Sequence, residues 1–176
     1  MRERFGIIDY SHLQPREIDP ETQRVVTEIG RLRTNWAGEH ARAAGERFRR
    51  KATLSQETGA AAELIGSFIE DQRDYLIELV RDNKGNIVGY GFYSGALAGE
   101  PRNEAVLEDI YIAPKFRQIG IMSQLVERLC MAARNAGYTS IKAQPENAVS
   151  EQALLHRGFQ VRSQYLPGVS TLVRHL

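Results

Sequence analysis

Apolar residues along this chain repeat at two different periods, and the change from one to the other falls near residue 73. In the first half they recur every three or four positions. Val25, Val26, Ile29 and Leu32 form one such stripe, and Ala61, Leu64, Ile65, Phe68 and Ile69 another, as the buried face of a helix requires. Asp19-Pro20-Glu21 supplies a cap and a first-turn proline ahead of the first stripe. Helices are therefore predicted from there, over about Glu39–Ala52, and over about Ser55–Gln72, with a short strand at Phe5–Tyr10. After residue 73 the runs become short and β-branched. Tyr75–Arg81 and Ile87–Tyr93 read as strands joined by the turn-rich Asp82-Asn83-Lys84-Gly85-Asn86, and Glu104–Ala113 as a third. Helical spacing returns over Gly120–Ala136, where Met122, Leu125, Val126, Leu129 and Ala133 share a stripe that Gly137 ends. Thr139–Ala143 is a strand broken by Pro145, and Asn147 caps a short helix to about His156, closed by Gly158-Phe159. Gln160–Tyr165 and Val169–Arg174 form a hairpin around Pro167-Gly168. Helices, an antiparallel meander, then alternating strands and helices predict an α/β (α+β) fold.

Composition narrows the function. The 176 residues are 42% hydrophobic, enough for one domain with a substantial core. A formal net charge of +1 gives no global field toward nucleic acid or a membrane surface. No apolar run resembles a signal peptide or a bilayer span, so a cytoplasmic location is expected. The single cysteine, Cys130, excludes a disulfide framework and reads as a small buried residue of its helix. His12, His40, His156 and His175 lack metal-ligand spacing, so no metal is expected. Arg42, Arg47, Arg49, Arg50 and Lys51 form a basic run around Phe48 that reads first as a solvated helix face. Trp36, Tyr93 and Tyr111 are either core aromatics or walls of an acceptor pocket.

The chemistry concentrates in VLEDIYIAPKFRQIGIMSQL, from Val106 to Leu125. A strand carrying two adjacent acids feeds a tight loop and then a helix, whose exposed N–H groups and positive end attract phosphate. Gly120 permits close approach of backbone to such a group, and Arg117 adds a cation. Strict alternation would put Glu108 and Asp109 on opposite faces, so that only one easily reaches a cleft.

Leu107-Glu108-Asp109, Ile112, Pro114, Arg117-x-x-Gly120-x-Met122, then Asn147-x-x-Ser150 and Gly158-Phe159 together resemble the acyl-CoA-binding core of the GNAT superfamily of N-acyltransferases. The resemblance covers Tyr75 to about Phe159 well and the N-terminal helices loosely. It implies a mixed, mostly antiparallel twisted sheet splayed at its centre and flanked by helices, with acyl-CoA in the gap. It also implies one domain throughout, with residues 1–72 on the acceptor side, 75–159 as the CoA-binding core and 160–176 as a C-terminal hairpin. The pantetheine arm would pair with Ile110, Tyr111 and Ile112. The diphosphate would sit on the loop of Arg117, Gln118, Ile119, Gly120, Ile121, Met122 and Ser123, with Asn147 and Ser150 beside the arm.

By the same resemblance, Glu108 is the expected base and Asp109 either orients the substrate or is a surface residue; the backbone N–H of Ile112 is the natural oxyanion donor for a thioester carbonyl. The implied activity is transfer of an acetyl group from acetyl-CoA, without a metal, to a primary amine of a small molecule or protein. A membrane or nucleic-acid partner is not expected, and a homodimer is compatible with the pattern. Two positions depart from the family. Met122 stands where the loop usually ends in glycine or alanine, with its side chain expected to turn inward. Leu154 stands where many members place a tyrosine that protonates the departing thiolate. His156, Tyr165 and Tyr138 are the nearby donors in sequence. Loss of that acid should slow the reaction without forbidding it, since a thiol pKa of about 8.5 makes the thiolate a tolerable leaving group. The alternative is a catalytically silent member that binds CoA or a partner, acting through the basic helix.

Overall fold

The computed structural model describes residues 6–9, 24–34, 59–60, 75–96, 102–166 and 169–176, with backbone alone at 6–9, 165, 166 and 169. Seven strands form one sheet: β1 (Gly6–Asp9), β2 (Tyr75–Arg81), β3 (Ile87–Ser94), β4 (Glu104–Ile112), β5 (Ser140–Ala143), β6 (Gln160–Leu166) and β7 (Val169–His175). Their spatial order is β1-β2-β3-β4-β5-β7-β6. Only β4 and β5 run parallel among these pairs; the rest are antiparallel. Helices of the described residues that accompany the sheet include α1 (residues 24–34), α2 (Ile121–Asn135) and α3 (Ala148–Leu155). The expected helices at 39–52 and 55–72, and the basic run within them, lie outside the described residues except for helical residues 59–60.

The two faces of the sheet bury two separate cores, as a sheet covered on both sides must. On one face α1 lays Val25, Val26, Ile29 and Leu32 against Ile77, Leu79, Ile87, Tyr90, Phe92 and Tyr111. On the other, α2 buries Leu125, Val126, Leu129 and Cys130 against Leu76, Val80, Val88, Leu107 and Ile141. Gly91 of β3 lets α2 come close, since a Cβ there would stand 2.9 Å from Leu129 Cδ1 and 3.2 Å from Leu125 Cδ2. The ends of α2 and α3 carry the capping residues that their sequence offers. Gly137 takes φ +97° beyond α2, a backbone state that glycine adopts without a Cβ penalty. Asn147 caps α3 through a reciprocal pair with Ser150.

The feature that positions the site is a mismatch of strand lengths. β4 has nine residues and β5 four. Their pairing runs only from Glu104↔Ser140 to Leu107↔Ala143. Gln144-Pro145 then ends β5, and proline has no N–H to continue a ladder. From Glu108 onward β4 bonds to β3 on one side, and no strand of the described residues pairs with it on the other. The sheet therefore splays at its centre.

A second irregularity sits at the same place. Phe92 faces Asp109 while Tyr93 faces Leu107, which makes Glu108 the extra residue of a β-bulge. The Ala113 N–H donates to Val88 O at 2.8 Å, so the odd-numbered residues of this stretch point their backbone groups toward β3. By alternation, the N–H and C=O of Ile110 and Ile112 point into the gap.

Candidate active site

The gap holds a continuous cleft. Its deep end, about 110 Å³, is walled by Leu107, Glu108, Asp109, Ile110, Ala143, Glu146 and Leu154. Its wide end, about 600 Å³, is bounded by Tyr111, Ile112, Arg117, Gly120, Ser123, Asn147 and Arg157. Ile110, Met122 and Ser150 line both.

Between strand and helix, a 3₁₀ turn at Pro114–Phe116 leads to Gln118 at φ +64° and Gly120 at φ +87°. Gly120 is the N-cap of α2, with no side chain closing the cap. The first helical bond is from Gln124 N–H to Gly120 O. Among the described residues, no protein group accepts from the backbone N–H of residues 118 to 123. Buried helix ends normally satisfy such donors with caps or ligands; here they open onto the cleft. A Cβ on Gly120 would have nothing within 4 Å, so this glycine serves the backbone turn rather than packing. Met122 is half-buried against the α2 core, which leaves its amide available.

Arg117 does not extend into the loop's open side. Its Nε donates to Ile112 O at 2.7 Å, and its guanidinium stands 5.4 Å from the Tyr111 ring centroid. It thereby locks the end of β4 to the loop. On the opposite wall, Asn147 Oδ1 accepts from Ser150 N at 2.9 Å, which leaves Nδ2 as the donor of that amide.

The acids are not arranged as strict alternation predicts. Ser94 Oγ donates to Glu108 Oε1. Tyr90 Oη and Arg33 Nη1 donate to Asp109 Oδ2 at 2.8 and 2.7 Å. Tyr90, Phe92 and Ser94 alternate onto the α1 face of β3, so both carboxylates turn toward that face. The bulge is the physical reason: an extra residue breaks the two-residue period, and the acids become neighbours rather than opposites. They differ in surroundings. Asp109 is tied into an ion pair with α1 and a buried phenol, whose pKa burial pushes up, with the Asp109 charge adding to the shift. Glu108 is exposed and held by one hydroxyl. Arg33, Tyr90, Ser94 and Glu146 were not identified from sequence; only the fold brings residues up to 76 positions apart to Asp109.

Of the proton donors near in sequence, Tyr138 lies away from the cleft. Tyr138 Oη accepts from the Ala96 N–H at 2.8 Å and its ring meets Tyr93 edge-on, in the α2 core. It is thus no donor to the cleft. Tyr93 and Tyr111 are core residues, 4% and 3% exposed, although Tyr111 also touches the cleft wall. Trp36 and the Tyr165 side chain lie outside the described residues. His156 lines the wide end of the cleft, with the open amides. Leu154 is 3% exposed and lines the deep end, so an apolar side chain occupies that position.

Cys130 is buried in the α2 core, two helical turns beyond the cleft-lining Ser123, and burial raises its thiol pKa from 9.0 to about 11. The folded protein should therefore resist iodoacetamide at pH 8 and react fully only after unfolding. Because the folded state keeps a proton that the unfolded state loses, stability should fall as pH rises from about 9 to 11. Stoichiometric labelling of the native protein within minutes would show the thiol accessible and refute this.

The comparisons agree with this geometry. Among solved structures, an N-acetyltransferase from Thermoplasma acidophilum in complex with coenzyme A aligns at a TM-score of 0.63, with 14% identity, over 97% of this chain and 99% of that one. A GNAT family N-acetyltransferase from Escherichia coli in complex with CoA gives 0.61 at 17% identity, over 99% and 83%. An aminoglycoside N-acetyltransferase in complex with CoA gives 0.62 at 16%, over 94% of both chains. At these identities the likeness shows the fold. No curated protein sequence matches. The Acetyltransferase (GNAT) family itself matches residues 39–159, more than half of the chain and the whole of the cleft. A central sheet splayed beside a loop of open amides, together with that match, places this chain in the GNAT acetyltransferase family.

Proposed function

We propose that this protein is an N-acetyltransferase that moves an acetyl group from acetyl-CoA to a primary amine by direct attack. One observation carries the reading: the free edge of β4 and the open amides of residues 118 to 123 border one cleft, with Glu108 at its deep end. The residues fit the donor. A diphosphate suits a run of unsatisfied N–H groups at a helix start, and the amides of a pantetheine arm suit the gap-facing N–H and C=O of Ile110 and the N–H of Ile112, whose carbonyl Arg117 already holds. Asn147 Nδ2 and the Ser150 region border the same path. Acetyl-CoA supplies an activated thioester; the protein's residues do the rest.

An alkylammonium has a pKa of about 10.4, so at neutral pH the acceptor nitrogen must lose a proton before it can attack. Glu108 takes that role, directly or through a water, because its carboxylate has one hydroxyl partner while Asp109 Oδ2 already accepts two bonds. Asp109 holds α1 on the acceptor side through Arg33. The oxyanion role fits Ile110 better than Ile112. Ile110 lies two residues from Glu108 and lines the deep end, whereas Ile112 lies about 13 Å along the strand at 3.3 Å per residue. Leu154 offers no proton, so the thiolate leaves unprotonated or takes a proton from water. The exposed Glu108 at the deep end favours an acceptor that arrives as a cation, on a small molecule or a protein.

Calorimetry with acetyl-CoA, followed by thiol release over a panel of polyamine, aminoglycoside and lysine-peptide acceptors, tests the proposal. Binding at one site per chain and amine-dependent thiol release are expected. Absence of binding would remove the acyl-CoA reading. Binding with no thiol release from any amine would identify a silent CoA-binding member instead.

A further inference from the structure

The loop of residues 117 to 123 carries one cation, Arg117, and that side chain is committed to Ile112 O and the Tyr111 ring. Gln118 and Ile119 add no charge. The backbone amides would thus meet a doubly charged group with half-charges alone. On the facing wall, Arg157 follows α3 by two residues and reaches across the cleft, where Nη2 donates to Ser123 Oγ at the third residue of α2.

Arg157 is exposed and lines the wide end of the cleft. Among the described residues it makes no ion pair. Glu127, an acid whose charge it influences, is already held by both terminal nitrogens of Arg174, at 2.7 and 2.9 Å. A guanidinium has five donors, of which a neutral hydroxyl uses one. Its bond to a phosphate oxygen is charge-assisted and about twice as strong as one to a neutral acceptor.

We infer that Arg157 is the cation with which this chain holds the diphosphate of CoA, exchanging Ser123 Oγ for phosphate oxygen as the ligand enters. This deepens the acetyl-CoA reading and rests on it. The geometry assigns the diphosphate rather than the 3′-phosphate, because Ser123 belongs to the helix start whose amides are open. No covalent step is involved; Arg157 binds and positions.

The test compares Arg157→Ala and Arg157→Lys with the parent by calorimetry. Its ligands are CoA, dephospho-CoA (no 3′-phosphate) and pantetheine (no diphosphate). Losing a charged hydrogen bond should weaken CoA about ten- to hundredfold. Dephospho-CoA should weaken by the same factor, pantetheine should be unaffected, and lysine should restore part of the loss. The deficit should shrink at high salt, since an exposed contact is screened. Equal CoA affinity in Arg157→Ala and parent overturns the proposal. A deficit that disappears with dephospho-CoA overturns it too, by moving the guanidinium to the 3′-phosphate. If the parent itself binds no CoA, the acyl-CoA reading fails instead, so the two failures are distinct. Arg157 is exposed, so a thermal melt should show the variants folded.

Discussion

Gly120→Glu should abolish CoA binding, with a loss of about a thousandfold or more, while the protein stays folded. Three effects add. The position has φ +87°, where a side chain costs about 1–2 kcal/mol of backbone strain. A carboxylate at an N-cap accepts from the second or third amide of the helix, so the variant would fill with its own oxygen the donors that residues 118 to 123 leave open. Its charge would then stand against an incoming diphosphate. About 4 kcal/mol in total corresponds to roughly a thousandfold in affinity. Gly120→Ala separates the parts. Its Cβ meets open space, so it carries the strain alone and should lose about tenfold. Calorimetry with CoA on both variants, beside a thermal melt, reads the result. Unaltered affinity in Gly120→Glu would mean that the loop does not hold the ligand.

Glu108→Gln should lower turnover at neutral pH by about a hundred- to ten-thousandfold, the usual range for a general base, with CoA affinity unchanged. The substitution is close to isosteric, and an amide oxygen can still accept from Ser94 Oγ, so the bulge should survive. The pH dependence gives the sharper check. Below its pKa of about 10.4, the free fraction of an alkylamine acceptor rises about tenfold per pH unit. The variant, with no base, should follow that rise, and its deficit against the parent should narrow as pH climbs. A deficit that stays constant from pH 7 to 9.5, or turnover equal to the parent throughout, would remove Glu108 as the base. Asp109→Asn is the contrasting variant. It breaks the ties to Arg33 and Tyr90, so its effect should appear chiefly in acceptor KM and in stability.

Much of this architecture is legible in the sequence. The strand at Tyr75–Arg81 has the bounds that its residue pattern predicts. The helix read over Gly120–Ala136 spans Ile121–Asn135. Asn147 and Gly137 mark their helix ends as capping chemistry requires. These elements are local: their hydrophobic period, caps and breakers lie within a few residues of one another. The motif Arg117-x-x-Gly120 was visible for the same reason, because a left-handed turn before a helix is a backbone demand that glycine answers.

What was not legible depends on residues far apart. The face to which Glu108 turns follows from a bulge in the β3–β4 register, and register is a property of two strands together. Asp109 reads alone as an acid on a strand. Its commitment to Arg33 and Tyr90 exists only because α1 packs across the sheet. Arg157 reads as a solvated charge until α3 is set opposite the start of α2. Sequence by itself determined the elements, the open helix start and the family resemblance, since each is encoded over short spans. Tertiary structure alone decided which face the two acids of β4 share, which of them Arg33 and Tyr90 hold, and which cation faces the amides. Those outcomes depend on distances between segments, and chain spacing does not specify them.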